Sequence, residues 1–309
     1  MCSSCLPFGR NDAVAWSDPD GNGYVFSGSG FGYLNDLWKY SPEVSLQSSG
    51  TWHQLCNPCS NSLPSIRSGG VSWTDNNGNS YLFGGLASSG YLNDLLQYNI
   101  SSNKWIELCS LCAPVARQLS VSWTDNSGNA YIFGGNNGVN LNDLWRYNIA
   151  KGAWSQLCTS SSCIATLPTA RSGSVSWTDN SGNAYIFGGN NGVNLNDLWR
   201  YNIATGLWSQ LCTSSLCIST LPIARSGSVA WTDGNGNAYI FGGNNGVNLN
   251  DLWRYNIATG LWSQLCTSSS CIATLPTVRS NPLVWKDQIG NVYLFGVRST
   301  QDLNGLWII

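Results

Sequence analysis

Twelve cysteines are the residues of this sequence whose type and spacing most directly suggest chemistry. They form six local pairs, three with two intervening residues and three with four: Cys2/Cys5, Cys56/Cys59, Cys109/Cys112, Cys158/Cys163, Cys212/Cys217 and Cys266/Cys271. Thiols at this spacing can form disulfides, bind zinc or exchange electrons. Because every cysteine has a local partner and none is left over, the pattern favours disulfides in an extracellular or cell- or virion-surface protein.

Zinc or an iron–sulfur centre is the main alternative, since two intervening residues are typical of a metal half-site. A tetrahedral site would require two neighbouring pairs to converge, and the intervening residues are mainly serine and threonine. Disulfides between different pairs and thiol redox chemistry are the remaining alternatives. We predict disulfides within each pair and no bound metal.

Arginine and aspartate also recur at regular intervals and could form ion pairs or bind an anion. The arginines that open the repeats are separated by 57, 50, 54, 54 and 54 residues: Arg10, Arg67, Arg117, Arg171, Arg225 and Arg279. Aspartates follow at one loop position: Asp36, Asp94, Asp143, Asp197 and Asp251. Others occupy one turn position: Asp18, Asp75, Asp125, Asp179, Asp233 and Asp287. Acids that recur in this way are expected to hydrogen-bond backbone amides rather than to catalyse a reaction.

The interval between these residues predicts the fold. A repeat of about 50 residues with strand-like content is typical of a β-propeller. In the repeat that begins at Arg171, strand-like runs at 174–177, 184–189, 198–203 and 207–211 are separated by segments rich in Asn, Asp, Thr and Gly. Four short antiparallel strands make one blade. We therefore predict an all-β, six-bladed β-propeller with four-stranded antiparallel blades.

The chain is expected to form a single domain over 1–309, because a ring of blades grows by repetition. The blades are expected at about 10–59, 67–112, 117–163, 171–217, 225–271 and 279–309 plus 1–5. The sixth blade is expected to have three strands, because its third strand is the last segment of the sequence. The edge of that strand is expected to add a further segment, either residues outside this sequence or a strand from a neighbouring molecule. The second case would support self-assembly through Leu306, Trp307, Ile308 and Ile309.

The repeats resemble the kelch repeat over nearly the whole chain. The resemblance rests on paired glycines after Tyr-Ile-Phe, on Leu-Trp-Arg-Tyr about ten residues later, and on a tryptophan in the fourth strand. Ser-Trp-Thr-Asp and Leu-Asn-Asp-Leu-Trp look most like secreted bacterial and protist members of a wider group that includes the galactose oxidase propeller. In similar kelch domains the opening arginine lines the central pocket and can hold acidic peptides. The resemblance thus makes the six opening arginines candidate ligand-binding residues, with ion pairs to the loop aspartates as the alternative.

No catalytic set is recognisable in the sequence. The only histidine is His53. A copper centre like that of galactose oxidase requires two histidines and a free cysteine, and Ser-His-Asp chemistry requires a placed aspartate and serine that the sequence does not indicate. We predict that the chain is not an enzyme and needs no cofactor. The alternative is an enzyme domain, galactose oxidase-like or a hydrolase scaffold, with its site at the arginine-lined channel mouth.

Composition limits the partners of the chain. Only 10% of its residues are charged, with 14 basic and 16 acidic, so the surface is built mainly from Asn, Ser, Thr and Gly. A nucleic-acid partner and a membrane span are therefore not expected. Three repeats keep Gly-Gly-Asn-Asn-Gly-Val-Asn-Leu-Asn-Asp unchanged, at 134–143, 188–197 and 242–251. We predict a secreted or surface-displayed binding and assembly module that presents these polar loops on one propeller face to a protein or a glycan.

One further motif concerns modification. Asn99-Ile100-Ser101 is the single Asn-x-Ser/Thr sequence with a permissible middle residue, at a turn where other repeats have Asn-Ile-Ala. Asn99 is therefore a candidate glycosylation site, with a chance occurrence as the alternative.

Overall fold

A computed structural model describes residues 6–30, 32–42, 50–56, 64–267, 271, 275–277, 281–296 and 305–309. Six antiparallel sheets form in sequence order, five with four strands and the last with three. Each sheet pairs strands that are consecutive in the chain, as expected for blades whose strands are joined by hairpins. The predicted fold class, an all-β six-bladed β-propeller with a three-stranded sixth blade, is confirmed.

The blades fall into two compact units. The first unit contains residues 1–118 and 282–309, and the second contains residues 119–281. The strands of the first unit are β1 (Val14–Ser17), β2 (Gly23–Phe26), β3 (Leu37–Ser41), β4 (Thr51–Cys56), β5 (Val71–Thr74), β6 (Ser80–Ala87), β7 (Gly90–Asn99), β8 (Lys104–Cys109), β21 (Leu283–Lys286), β22 (Val292–Phe295) and β23 (Leu306–Ile308). The prediction of one domain over 1–309 stays a prediction.

The second unit contains the three most regular blades. Its strands are β9 (Val121–Thr124), β10 (Asn129–Phe133), β11 (Leu144–Asn148), β12 (Ala153–Leu157), β13 (Val175–Thr178), β14 (Asn183–Phe187), β15 (Leu198–Asn202), β16 (Leu207–Leu211), β17 (Val229–Thr232), β18 (Asn237–Phe241), β19 (Leu252–Asn256) and β20 (Leu261–Leu265). Two short helices lie between blades, α1 (Ser161–Ile164) and α2 (Ser215–Ile218).

The aspartate at the first turn of each blade closes the hairpin. Asp179 Oδ1 accepts hydrogen bonds from the backbone amides of Ser181 at 2.8 Å and Asn183 at 2.9 Å. Its Oδ2 accepts from Asn183 Nδ2 at 2.8 Å and from the Tyr185 hydroxyl at 2.9 Å. Asp75, Asp125, Asp233 and Asp287 have the same partners in their own turns. The expectation that these acids hydrogen-bond turn amides is confirmed.

The paired glycines allow one blade to approach the next. Gly188 has a φ of +65°, which L side chains rarely adopt, and a Cβ there would lie 2.6 Å from the carbonyl oxygen of Arg225. The neighbouring Gly189 amide donates to that same oxygen at 2.9 Å. The second strand therefore ends in glycines because the opening arginine of the next blade contacts its backbone.

The core of each unit is aromatic and lies between consecutive sheets. Trp177 stacks on Tyr185 of its own blade at 5.6 Å between ring centroids. Trp262, from the fourth strand of the next blade, meets Trp177 edge-on at 6.3 Å and also contacts Phe187. The first-strand tryptophans are at most 9% exposed: Trp16, Trp73, Trp123, Trp177, Trp231 and Trp285. These rings stabilise the fold by burial and edge-to-face packing.

Candidate functional site: paired arginines and valine-tipped loops

Arg171, which precedes β13, is 1% exposed and uses all five of its N–H donors. Nη1 donates to Asp197 Oδ1 at 2.6 Å and to the Gly188 carbonyl at 3.1 Å. Nη2 donates to Asp197 Oδ2 at 2.7 Å and to Thr169 Oγ1 at 2.9 Å, while Nε donates to the Thr169 carbonyl at 2.9 Å. This is a bidentate ion pair with no unsatisfied guanidinium donor.

Three more opening arginines make the same bidentate contact. We call the four the paired arginines; with their acids they are Arg10–Asp36, Arg67–Asp94, Arg171–Asp197 and Arg225–Asp251. Each of the four is at most 1% exposed. The loop aspartate and the opening arginine therefore recur together because each neutralises the other in a buried position.

The tryptophan of Leu-Asn-Asp-Leu-Trp completes this arrangement. Trp199 Nε1 donates to Asp197 Oδ2 at 2.6 Å, and Trp253 makes the equivalent bond to Asp251 at 2.7 Å. Burial raises the pKa of Asp197, but hydrogen bonds and charge from Arg171, together with the Trp199 bond, outweigh it and hold that pKa below its usual value. The carboxylate is thus ionised at neutral pH and bound on both oxygens.

At these four positions the opening arginine is paired with a loop aspartate. This pairing is the alternative to ligand binding that the sequence leaves open. Arg117 is also 1% exposed, and its Nε donates to the Val115 carbonyl at 3.0 Å. Arg279 lies outside the described residues. The ligand-binding role of the six opening arginines stays a prediction. At Arg67 and Arg171, where all five donors have partners, an anion could bind the guanidinium only by displacing one of them.

The repeated polar loops of the second unit, 136–140, 190–194 and 244–248, are closed by their own side chains. In the middle loop Asn190 Nδ2 donates to Asn194 Oδ1 at 3.0 Å, and Asn190 Oδ1 accepts from the Gly192 amide at 2.9 Å. The Asn191 amide donates to the Val193 carbonyl at 3.1 Å. These bonds fix the loop backbone and turn the valine outward.

Asparagine also joins the first of these loops to the second, and the second to the third. Asn140 Nδ2 donates to the Asn190 carbonyl at 3.0 Å, and Asn194 Nδ2 donates to the Asn244 carbonyl at 3.1 Å. The three loops therefore form one hydrogen-bonded row. Their tips are valines that are 65%, 67% and 65% exposed, and we call this surface the valine row: Val139, Val193 and Val247.

The connections that carry the cysteines end beside these loops. Asn196 Nδ2 donates to the Pro222 carbonyl at 3.4 Å, and the Arg225 amide donates to the Leu195 carbonyl at 2.9 Å. In the second unit, the second-to-third-strand loops and the ends of the blade connections therefore lie together.

Four of the predicted cysteine pairs are joined in the structure. They are Cys109–Cys112, Cys158–Cys163, Cys212–Cys217 and Cys266–Cys271, with Cα atoms 5.0 to 5.7 Å apart. Cys56 is also disulfide-bonded. Cys2, Cys5 and Cys59 lie outside the described residues. Cys163 and Cys217 lie in α1 and α2, where Ser160 and Ser214 cap the helix. Within the described part of the chain, no three His, Cys, Asp or Glu side chains are grouped to hold a metal.

Two other sequence candidates are separate from this face. His53 is an exposed residue of strand β4, and its Nε2 lies 3.1 Å from Thr51 Oγ1. Asn99 Oδ1 accepts from the amide of Ser102 at 2.9 Å and from its hydroxyl at 2.8 Å. Glycosylation of Asn99 stays a prediction. Among the described helices, none is long and apolar enough to span a membrane.

The third strand of blade six presents apolar side chains. Trp307 is 37% exposed, Ile308 is 60% exposed and Ile309 is 41% exposed. On its other side β23 pairs with β22, in the register Phe295 opposite Leu306. The predicted three-strand blade is confirmed; assembly through its edge is a proposal.

The repeated four-stranded blades, the glycine pairs and the buried Arg–Asp–Trp contacts define a kelch-type propeller. A family model described as the KLHDC2/KLHL20/DRC7 Kelch-repeats domain matches residues 1–174 and 161–309. The chain belongs to this Kelch-repeat family. Among curated proteins, none matches the chain. The kelch propeller suggests a protein-interaction module.

Proposed function

We propose that this chain is a non-catalytic binding module, secreted or displayed on a surface, that contacts a protein partner through the valine row. The observation that carries the proposal is the exposure of Val139, Val193 and Val247, 65% to 67%, on loops held by hydrogen bonds within and between blades. Isolated exposed valines are ordinary on a protein surface. Here, three exposed valines stand at equivalent positions of loops that are hydrogen-bonded to one another. A partner can therefore make the same apolar contact at each of them.

The chemistry of the loops favours a protein partner with an apolar or neutral polar surface. The segments 136–140, 190–194 and 244–248 contain only Asn, Gly and Val, so they carry no charge. They also contain no aromatic side chain on which a sugar ring could stack. The fixed backbone lowers the conformational entropy lost on binding. Binding at this surface should therefore depend little on ionic strength.

The enzyme alternative would place its site at the opening arginines. At Arg67 and Arg171 all five donors already have partners within the protein. A substrate anion would have to compete with a bidentate carboxylate, which is a poor starting point for catalysis. Because these guanidinium donors are already bound within the protein, they favour a binding module over an enzyme.

Location outside the cell is supported by the local disulfides, which persist in oxidising compartments. Alkylation of the native protein before reduction, followed by intact mass measurement, tests this. We expect no alkylated cysteine. Several alkylated cysteines would contradict the oxidised framework.

The apolar edge of β23 supports a second part of the proposal, assembly of copies by strand addition at Leu306, Trp307, Ile308 and Ile309. A donated strand would make head-to-tail polymers whose mass grows with concentration. Light scattering over a concentration series tests this. A constant monomer mass would refute it.

The valine row is tested with a triple variant, Val139→Asp, Val193→Asp and Val247→Asp. The matched control places the same three charges at other exposed apolar positions, Leu111, Leu207 and Ile289, which are 83%, 57% and 87% exposed. Immobilised wild type, triple variant and control are exposed to the extracellular fraction of the source. We expect a protein retained by wild type and control but lost by the triple variant.

That protein is then purified and its affinity for the three chains is measured by calorimetry. We expect the triple variant to lose at least about tenfold in affinity, since buried interface contacts carry most of the binding energy. Equal binding of the purified partner to wild type and triple variant would refute the valine row as the contact surface.

A further inference from the structure

The third strands of the second unit carry another set of arginines, which we call the open arginines: Arg146, Arg200 and Arg254. All three are half-buried. The Nε of each is buried without a hydrogen-bond partner. Across the described residues, none of the three makes a hydrogen bond or lies within 4.0 Å of a carboxylate. Their guanidiniums therefore differ from those of the paired arginines, whose charge is neutralised inside the protein.

Strand register places each open arginine at the outer end of an aromatic stack. Arg200 pairs with Tyr185 on one side and Ser209 on the other. Paired residues of an antiparallel sheet project from the same face. Arg200 therefore extends the stack of Trp177 and Tyr185 toward the fourth strand. Burial raises the pKa of Tyr255 in the next blade, and the charge of Arg200 partly offsets this rise.

The same arrangement occurs one blade earlier. Arg146 pairs with Tyr131 and Ser155. Burial raises the pKa of Tyr201 in the following blade, and the charge of Arg146 offsets part of this rise. Arg254 pairs with Tyr239 and Ser263 in its own blade. Three consecutive repeats thus present a guanidinium beside a tyrosine and a serine.

Nearby acids are already bound by neutral donors. The second unit contains six aspartates and no glutamate. Among them, the turn aspartate Asp179 uses both oxygens for amide, asparagine and tyrosine donors. At the equivalent position of blade one, Lys39 does have an acid, Asp18, at 3.9 Å, and lies 5.7 Å from the Tyr24 ring centre. The open arginines lack that ion pair.

We propose that the open arginines bind a linear acidic polysaccharide, with a carboxylate or sulfate group of the sugar chain at each guanidinium. The planar fork of arginine suits both anions. Three nearly identical environments fit a ligand that repeats one anionic group at a regular interval, as a regular polysaccharide does. An acidic peptide would need its carboxylates at the same repeated spacing. Weak contacts at three sites would add through one flexible chain.

This surface is distinct from the valine row. The valine row lies in loops between second and third strands, whereas the open arginines lie within the third strands β11, β15 and β19. The two surfaces also differ in chemistry, because the loops are uncharged and the open arginines are cationic. A ligand at the open arginines should therefore show strong salt dependence.

The test measures binding of the purified full chain to four labelled probes at low salt: a heparin oligosaccharide, an oligogalacturonate, dextran and polyglutamate. Heparin supplies sulfate, oligogalacturonate supplies carboxylate, dextran is neutral and polyglutamate is an acidic peptide. We expect at least one charged polysaccharide to bind more tightly than polyglutamate, with no binding of dextran. Affinity should fall as salt rises.

Variants assign the binding to the arginines. We expect Arg146→Gln, Arg200→Gln and Arg254→Gln together to weaken affinity about tenfold or more, since each exposed charge contact contributes modestly and the three act together. The matched comparison is the double variant R146Q/R200Q against K104Q/K151Q, which removes the same charge from two exposed lysines. The arginine double should lose affinity and the lysine double should not. Thermal melts confirm that each variant is folded.

Several results would overturn the proposal. They are no binding of either charged polysaccharide, equal loss in the arginine and lysine doubles, and polyglutamate or a DNA oligonucleotide binding more tightly than both polysaccharides. The last result would assign the same guanidiniums to an acidic protein or to nucleic acid.

Discussion

Arg171 and Arg200 lie in the same blade and have opposite environments. Arg171 is 1% exposed, and all five of its donors have partners. Arg200 is half-buried, and its buried Nε has no partner. Position in the repeat explains the difference. An arginine opens every repeat, whereas the position of Arg200 is held in turn by Lys39, Gln97, Arg146, Arg200, Arg254 and Ile308. At the constant position Arg171 is bound within the protein, whereas at the variable position the half-buried Arg200 has no hydrogen bond to the described residues.

The largest effect on the free energy of unfolding is expected when the acid of a paired arginine is removed. Asp197→Asn leaves the Arg171 guanidinium buried without its counter-charge. We expect a loss of about 3 kcal/mol in the free energy of unfolding, at the lower end for a broken buried pair, because the Asp197 side chain is 21% exposed. Denaturant titration measures it. Asn196→Ala is the neighbouring control, since its bond to Pro222 is long at 3.4 Å. A loss for D197N no larger than that of the control would contradict the structural role.

Acid should weaken the protein through the turn aspartates as well as through Asp197. Burial raises the pKa values of Asp125, Asp179, Asp197 and Asp233, but hydrogen bonds outweigh it and hold them below their usual range. A folded-state pKa below the unfolded value gives stability that is complete above the unfolded pKa, about 4. That stability is lost as pH falls through the folded pKa. We expect the free energy of unfolding to decline steadily below about pH 5.

Denaturant titrations at a series of pH values measure this decline. The R200Q variant should follow the wild-type curve, because Arg200 has no acid partner. A wild-type curve that stays flat down to about pH 2 would be incompatible with these ionised, hydrogen-bonded aspartates.

Much of this arrangement could be predicted from the sequence, and the reason is repetition. The interval between the opening arginines predicts the propeller, and the recurrence of Asp179 and its equivalents predicts a turn role. The pairing of Arg171 with Asp197 could be proposed as one of two alternatives, because six nearby guanidiniums would otherwise repel one another. The turn chemistry depends on local patterns, and the ion pairs depend on charge balance.

Two features could not be predicted in the same way. The bond from Asn140 to the Asn190 carbonyl depends on how closely two blades approach, which no local pattern encodes. The openness of Arg200 was also missed, because the motif Leu-Trp-Arg-Tyr looks the same whether or not an acid lies nearby. The sequence feature that indicates it is variation: this strand position changes from Lys39 to Gln97 to arginine along the chain.

A smaller effect on stability is expected from one hydrogen bond that differs between two of the paired arginines. Arg171 Nη2 donates to Thr169 Oγ1, whereas Arg225 has Ile223 at the equivalent position and donates from Nη2 to Asp251 alone among the described residues. Thr169→Val should lower the free energy of unfolding by about 1 kcal/mol, the usual contribution of one hydrogen bond. Ile223→Thr should raise it by a similar amount. Denaturation midpoints of the two variants decide this, and a shift of the same sign in both would contradict the account.

The smallest effect is expected at the open arginine itself. Arg200→Gln removes a charge that has no ion-pair partner and a buried Nε that has no hydrogen bond. The glutamine keeps part of the aliphatic stem beside Tyr185, so most of the packing is retained. We expect the free energy of unfolding to change by no more than about 0.5 kcal/mol, as for a typical surface substitution. The same denaturant titration as for D197N measures it. A loss as large as that of D197N would show that Arg200 is as structural as Arg171 and would remove the distinction on which the proposed polysaccharide surface depends.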